Sequence, residues 1–110
     1  MTTASSDIIR GTADMLILKL LEREPMHGWG LGQEMQVRSR AALRIQPGAL
    51  YAALHRLTRE GGSGAYVRGT RNGQRARYYR LTAAGRRRLA AETKEWKRLA
   101  GGVALILSAR

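Results

Sequence analysis

Apolar positions crowd together early in the chain. Ile8, Ile9, Met15, Leu16, Ile17, Leu18, Leu20 and Leu21 are interrupted by few polar residues, Lys19 among them. So apolar a stretch predicts a central buried helix over residues 8–23, behind a flexible segment 1–7. Pro25 ends it, because the residue before a proline is pushed out of helical geometry. His27-Gly28-Trp29-Gly30 then predicts a turn into a second helix reaching Arg40, with Leu31 and Met35 one turn apart. Its glycines weaken it in isolation, so packing must hold it. After a connection over 41–46, Pro47 sits where a first helical turn tolerates a missing donor. In the third helix, 47–60, Leu50, Ala53, Leu54 and Leu57 follow the spacing i, i+3, i+4, i+7 and face the core. Ala49, Tyr51, Ala52, His55, Arg56 and Arg59 fall largely outside that stripe.

The periodicity then changes to two. Tyr78 and Arg80 alternate with Arg77, Tyr79 and Leu81 on opposite faces of a returning strand. Asn72-Gly73 predicts the tight turn before it, since both residues tolerate positive φ. A hairpin over 65–81 follows. Thr82 is a good N-cap for a last helix over 83–110. That helix carries Leu89, Thr93, Trp96, Ala100, Val103 and Leu107 at alternating spacings of four and three, a heptad-like seam. Gly101-Gly102 interrupts it at about 1 kcal/mol per glycine, predicting a bend or break. The seam either packs back on its own domain or pairs with a second copy. Pairing is favoured, because the first three helices already supply a small core. The fold class is therefore mostly α with a small β-hairpin: a winged helix-turn-helix over 8–82, followed by a C-terminal dimerisation helix over 83–110.

Charge sharpens this reading. Twenty Lys and Arg against eight Asp and Glu leave a formal charge of +12 on 110 residues. Such a surplus favours a polyanionic partner, because each neutralised phosphate releases condensed counterions. A merely soluble basic domain, a ribosomal protein or a membrane-surface protein would show the same surplus. Within residues 68–80, however, Arg68, Arg71, Arg75, Arg77 and Arg80 meet no acid. Like charges on one hairpin repel unless an anion compensates, which points to phosphate contact. Double-stranded DNA is the expected partner, with the helix over 47–60 in a groove and the wing along the backbone.

Enzymatic readings fare badly. There is no cysteine, which removes disulfides, zinc thiolates and cysteine nucleophiles. Asp7, Asp14, Glu22, Glu24, Glu34, Glu60, Glu92 and Glu95 form no constellation with His27 or His55, and no phosphate loop or metal spacing appears. No catalytic residue, metal or cofactor is expected. Met1 to Asp7 lacks a secretion pattern, and the longest apolar run, Val103 to Leu107, is far short of the ~20 residues that span a bilayer. A soluble, cytoplasmic protein is expected, with no membrane partner.

Four motifs in order resemble those of the PadR-like winged-helix transcriptional regulators. They are the Arg10-Gly11-Thr12 start, the turn Met26-His27-Gly28-Trp29-Gly30, the helix from Gly48-Ala49-Leu50-Tyr51 to Leu57, and the wing from Asn72-Gly73-Gln74-Arg75 through Arg77-Tyr78-Tyr79-Arg80-Leu81-Thr82 to Gly85. The match covers residues 10–100 and is similar to the compact subgroup with a single C-terminal helix. The resemblance implies a homodimer, usually a repressor, bound to a roughly palindromic operator. It implies DNA contacts at Gly48, Ala49, Tyr51, His55 and Arg56 on the helix, at Arg75 and Arg77 on the wing, and at His27. Trp29 is expected to pack, and one of Tyr78 and Tyr79 to lie inside while the other braces the wing. Trp96 resembles the aromatic residue that lines an effector pocket for planar compounds in some members; burial in the dimer seam is the favoured alternative. Gly61-Gly62-Ser63-Gly64 departs from the family's bulky apolar residues, predicting a first wing strand held only by Ala65, Tyr66 and Val67 and mobile until DNA binds. Two other functions stay open: a non-specific nucleic-acid-binding or packaging protein, and an interaction module using the last helix.

Overall fold

A computed structural model describes the backbone of residues 2–109 and the side chains of Thr12 to Ala109. Four helices and three strands follow in the order α1 (Thr2–Arg23), β1 (Met26–His27), α2 (Gly28–Arg38), α3 (Pro47–Arg59), β2 (Ser63–Gly69), β3 (Arg75–Leu81) and α4 (Ala83–Leu107). The helix α1 starts earlier than position 8 and extends through the segment expected to be flexible. Ile8 and Ile9, expected on its apolar face, have side chains outside the described residues. Ile17, Leu18, Leu20 and Leu21 lie at the centre of the core, as the crowding of apolar positions predicts.

The stripes meet there. Leu31 and Met35 from α2, and Leu50, Ala53, Leu54 and Leu57 from α3, close over α1. Tyr79 of β3 and Leu89 of α4 complete the cluster. Each buried Leu or Ile removes apolar surface worth about 1.5–3 kcal/mol from water. The termini follow their local chemistry: Pro47 occupies the first turn of α3, and the Thr82 hydroxyl accepts from Gly85 N–H at 2.9 Å to cap α4. The helix α2 ends at Arg38, two residues short of Arg40. Arg40 and Ala41 take left-handed φ of 54° and 66°, and Ala41 N–H reaches back to Gln36 O at 2.7 Å. The helix α4 runs without a break through Gly101 and Gly102, where a bend or break was expected. Two glycines cost about 2 kcal/mol in propensity, less than the hydrogen bonds a break would forfeit.

The sheet holds a strand that periodicity did not reveal. Its order is β1-β3-β2, all antiparallel, with Met26 opposite Tyr79 and His27 opposite Tyr78. Two residues are too few to show a period, so β1 exists only through its pairing. β2 pairs with β3 along its whole length, from Ser63 opposite Leu81 to Gly69 opposite Arg75. The glycine run therefore does not shorten the strand to Ala65–Val67. It makes room instead. A Cβ on Gly85 would lie 2.0 Å from Gly62 O, and one on Gly64 would meet the Arg80 guanidinium at 3.0 Å. Gly62 O also accepts from Thr82 N–H at 3.3 Å, while the Thr82 hydroxyl donates towards Gly61 O and Gly62 O at 2.6 and 3.0 Å. Small residues are what let α3, β2 and α4 join at one backbone crossing.

Candidate nucleic-acid interface

The outer face of α3 is open at its start. Gly48, Ala49, Tyr51, Ala52 and His55 are exposed, while Leu50, Ala53, Leu54 and Leu57 are buried beneath them. Tyr51 leans over the neighbouring helix: a Cβ on Gly28 would fall 2.4 Å from its ring. Glycine at position 28 leaves the space that the tyrosine ring occupies. His27 caps α2, its Nδ1 accepting from Gly30 N–H at 3.0 Å. With Nδ1 occupied as acceptor, the neutral ring carries its proton on Nε2 and can donate there.

The wing rises beside these residues. Its tight turn falls at Asn72-Gly73 as expected, but Asn72 does not take the positive φ it tolerates. Gly73 N–H bonds to Thr70 O at 3.0 Å and Thr70 N–H to Gln74 O at 2.6 Å, leaving Arg71 and Asn72 as the central pair. Only Gly73 has positive φ, 81°, which makes a three-residue loop with a glycine bulge. Tyr78 and Tyr79 are both buried, in different surroundings. They point to opposite faces of β3. Tyr79 enters the core, whereas Tyr78 is covered by side chains of the sheet's other face. There Tyr66 stacks on it at 5.9 Å, His27 meets it edge-on at 5.2 Å, and the Arg68 guanidinium lies 4.2 Å above its ring. This small aromatic stack ties the wing to the capped start of α2.

All five wing arginines are exposed, and among the described residues none pairs with a carboxylate. Between wing and helices runs an open groove of about 600 Å³, lined by His27, Trp29, Tyr51, Asn72, Gln74 and Arg77 among others. The fold thus brings together three of the expected contacts, His27, Tyr51 and Arg77. Gly48, Ala49 and His55 lie along the same helix face, and Arg75 begins β3 beyond the groove. Trp29 corrects its expectation: it is 69% exposed and lines the groove instead of packing.

Arg56 is drawn toward α1: its Nη2 donates to Asp14 Oδ1, with the side chain 39% exposed. Asp14 is only 15% exposed and accepts a second guanidinium, Arg88 Nη2 at 2.6 Å. Arg88 also donates from Nη1 to Glu60 and from Nε to Glu92, both at 2.8 Å. Glu92, then Glu60 and Asp14, hold the Arg88 pKa above its ordinary value against partial desolvation. Periodicity missed this cluster. One trace was present: Asp14 is the sole acid within the apolar stretch 8–21.

The seam on α4 divides in two. Leu89 is buried at 5% exposure in its own domain's core, so it is not a free interface residue. Trp96, Val103 and Leu107 are exposed, with Thr93 and Ala100 half-buried. Leu99, Leu105 and Ile106, absent from the heptad reading, are exposed beside them. Trp96 borders an open groove of about 760 Å³ between α1 and α4, walled by Met15, Leu16, Leu89 and the stems of Lys19 and Lys97. Among the described residues, no helix is long and apolar enough to cross a membrane.

Known proteins share this arrangement. A transcriptional regulator from Clostridium thermocellum superposes with a TM-score of 0.81 at 29% identity, over 94% of this chain and 97% of its own. A PadR family transcriptional regulator from Eggerthella lenta gives 0.82 at 28% identity, over 99% and 93%. An uncharacterized protein of Lysinibacillus sphaericus is 35% identical over 91 residues, covering 83% of this chain and 84% of that one. The family model of the PadR-like transcriptional regulators matches residues 17–91, from the core of α1 to the third turn of α4. The two solved structures and the family model are those of transcriptional regulators, not of enzymes. By that match the chain belongs to the PadR-like family of transcriptional regulators, which act by binding DNA.

Proposed function

We propose that the protein is a homodimeric repressor that binds a palindromic operator. The observation that carries this is the convergence of the open start of α3, the capped start of α2 and an acid-free arginine wing on one groove. In this reading Gly48, Ala49, Tyr51 and His55 meet base edges in the major groove. Small residues at the helix start let its backbone approach closely. His27 donates from Nε2 to a phosphate, and Arg75 and Arg77 lie along the backbone or minor groove. Five guanidiniums on one hairpin, none paired with a carboxylate among the described residues, favour an anion there over solvent alone.

The exposed apolar side chains of α4 from Trp96 to Leu107 support pairing with a second copy, since a lone helix rarely leaves so many large apolar groups in water. Pairing would set two recognition helices about one DNA turn apart, ~34 Å. Occupancy would block transcription. The groove beside Trp96 suits a planar aromatic effector, which would act by changing the angle between the paired helices.

The test is fluorescence anisotropy on DNA from upstream of the gene against shuffled DNA, across several salt concentrations. A site preference of about 10³-fold or more that survives added salt supports an operator-binding regulator. Equal binding to both, vanishing with salt, would make it a non-specific nucleic-acid or packaging protein.

A further inference from the structure

The acidic side chains of this basic chain are few, and three of the eight converge on one arginine. Arg88 places a different nitrogen on each: Nε on Glu92 of α4, Nη1 on Glu60 at the end of α3, and Nη2 on Asp14 of α1. Asp14 gives its other oxygen to Arg56 of α3. Two links therefore join α4 to α3, one direct through Glu60 and one relayed through Asp14 and Arg56. The other ion pairs among the described residues, Lys19–Glu22, Arg38–Glu34 and Arg98–Glu95, are local pairs within single helices.

The apolar seat of α4 is meagre by comparison. Only Gly85 and Leu89 of that helix are buried. Apolar contacts are non-directional and permit a helix to roll. A guanidinium held at all three nitrogens is directional, because its planar fork fixes where each carboxylate must lie. Arg88 sits between those two buried residues, where it can set the roll and tilt of α4 against α3.

Resting on the dimeric operator reading above, we infer that Arg88, with Asp14 and Glu60, is a positioning residue: it sets the angle of α3 relative to α4 and so the half-site spacing the dimer accepts. Half-site spacing would read that angle, because α4 carries the pairing seam and α3 the base contacts. Lysine in place of Arg88 keeps the charge but abandons the three-way fork.

The experiment selects a preferred site for the wild-type protein from random duplex DNA. Affinity is then measured on that site and on versions with one central base pair inserted or removed. Wild type, Arg88→Lys and Glu60→Gln are compared, with shuffled DNA for non-specific affinity and thermal melts for folding. The wild type is expected to lose binding steeply with altered spacing. Both variants should lessen that penalty by about fivefold or more, the lower end of ordinary coupling between sites, with non-specific affinity unchanged. Glu60→Gln removes a half-exposed carboxylate and carries the test if Arg88→Lys fails to fold. A variant that melts like the wild type and keeps its full spacing penalty overturns the positioning role while leaving the operator reading intact. A wild type indifferent to spacing overturns both.

Discussion

Gly85→Ala should destabilise the protein, although alanine is the better helix former. Position 85 lies in the first turn of α4, and its added methyl would sit 2.0 Å from Gly62 O. The atoms must separate by more than 1 Å to reach ordinary contact. Both are backbone or backbone-attached, so no side chain can rotate away. The displaced carbonyl accepts from Thr82 N–H and faces the Thr82 hydroxyl, the same group that caps α4. Overpacking of this kind costs about 1–3 kcal/mol. Disturbing one or two hydrogen bonds adds about 0.5–1.5 kcal/mol each. The propensity gain returns less than about 1 kcal/mol, leaving a net loss of about 2–3 kcal/mol. For a domain of this size that lowers Tm by roughly 10–20 °C. Melting followed by circular dichroism at fixed protein concentration measures it. Gly101→Ala is the control in the same helix, with nothing within 4 Å of its added Cβ. It should gain up to about 1 kcal/mol, and a loss there would place a second helix against that face. An unchanged or raised Tm for Gly85→Ala would refute the close crossing of α4 over β2.

Three further outcomes are expected. Arg75→Ala should weaken binding to all DNA sequences and lower the slope of log affinity against log salt by about one; an unchanged slope excludes a phosphate contact. Tyr51→Ala should reduce discrimination between operator and shuffled DNA by about 1–3 kcal/mol, more than it reduces non-specific affinity, and equal losses argue against base readout there. Acid should also act through α4 and α1. Hydrogen bonds from Arg98 and Lys19 hold the carboxyls of Glu95 and Glu22 below the usual value of 4.5. A depressed folded pKa means a contribution present above 4.5 and lost as pH falls through the folded value. Glu95→Gln should therefore flatten the fall of Tm below pH 4.5, and an identical acid profile would deny the pair any role.

Wherever chemistry repeats along the chain, the elements were legible without coordinates. The stripe of Leu50, Ala53, Leu54 and Leu57 names the buried face of α3 because 3.6-residue periodicity is a property of neighbours in sequence. Pro47 and Thr82 mark helix starts for the same local reason. The acid-free run of arginines announces a polyanion, since charge needs no fold to be counted. Tertiary structure decided what depends on partners far along the chain. β1 exists only by pairing with β3, and Tyr78 is buried by Tyr66, His27 and Arg68 rather than by the core. Arg56 and Leu89 matched helical patterns that favoured DNA and a partner helix. Asp14 draws the first toward α1 and the core claims the second, because a helix face is assigned by whatever packs against it. The glycines at 62 and 64 looked like weakness in a one-dimensional reading, and Gly85 only like the end of a motif. In three dimensions Gly85 is where the α4 backbone meets the Gly62 carbonyl too closely for a side chain, and Gly64 is where the Arg80 guanidinium lies, a constraint that only distance can express.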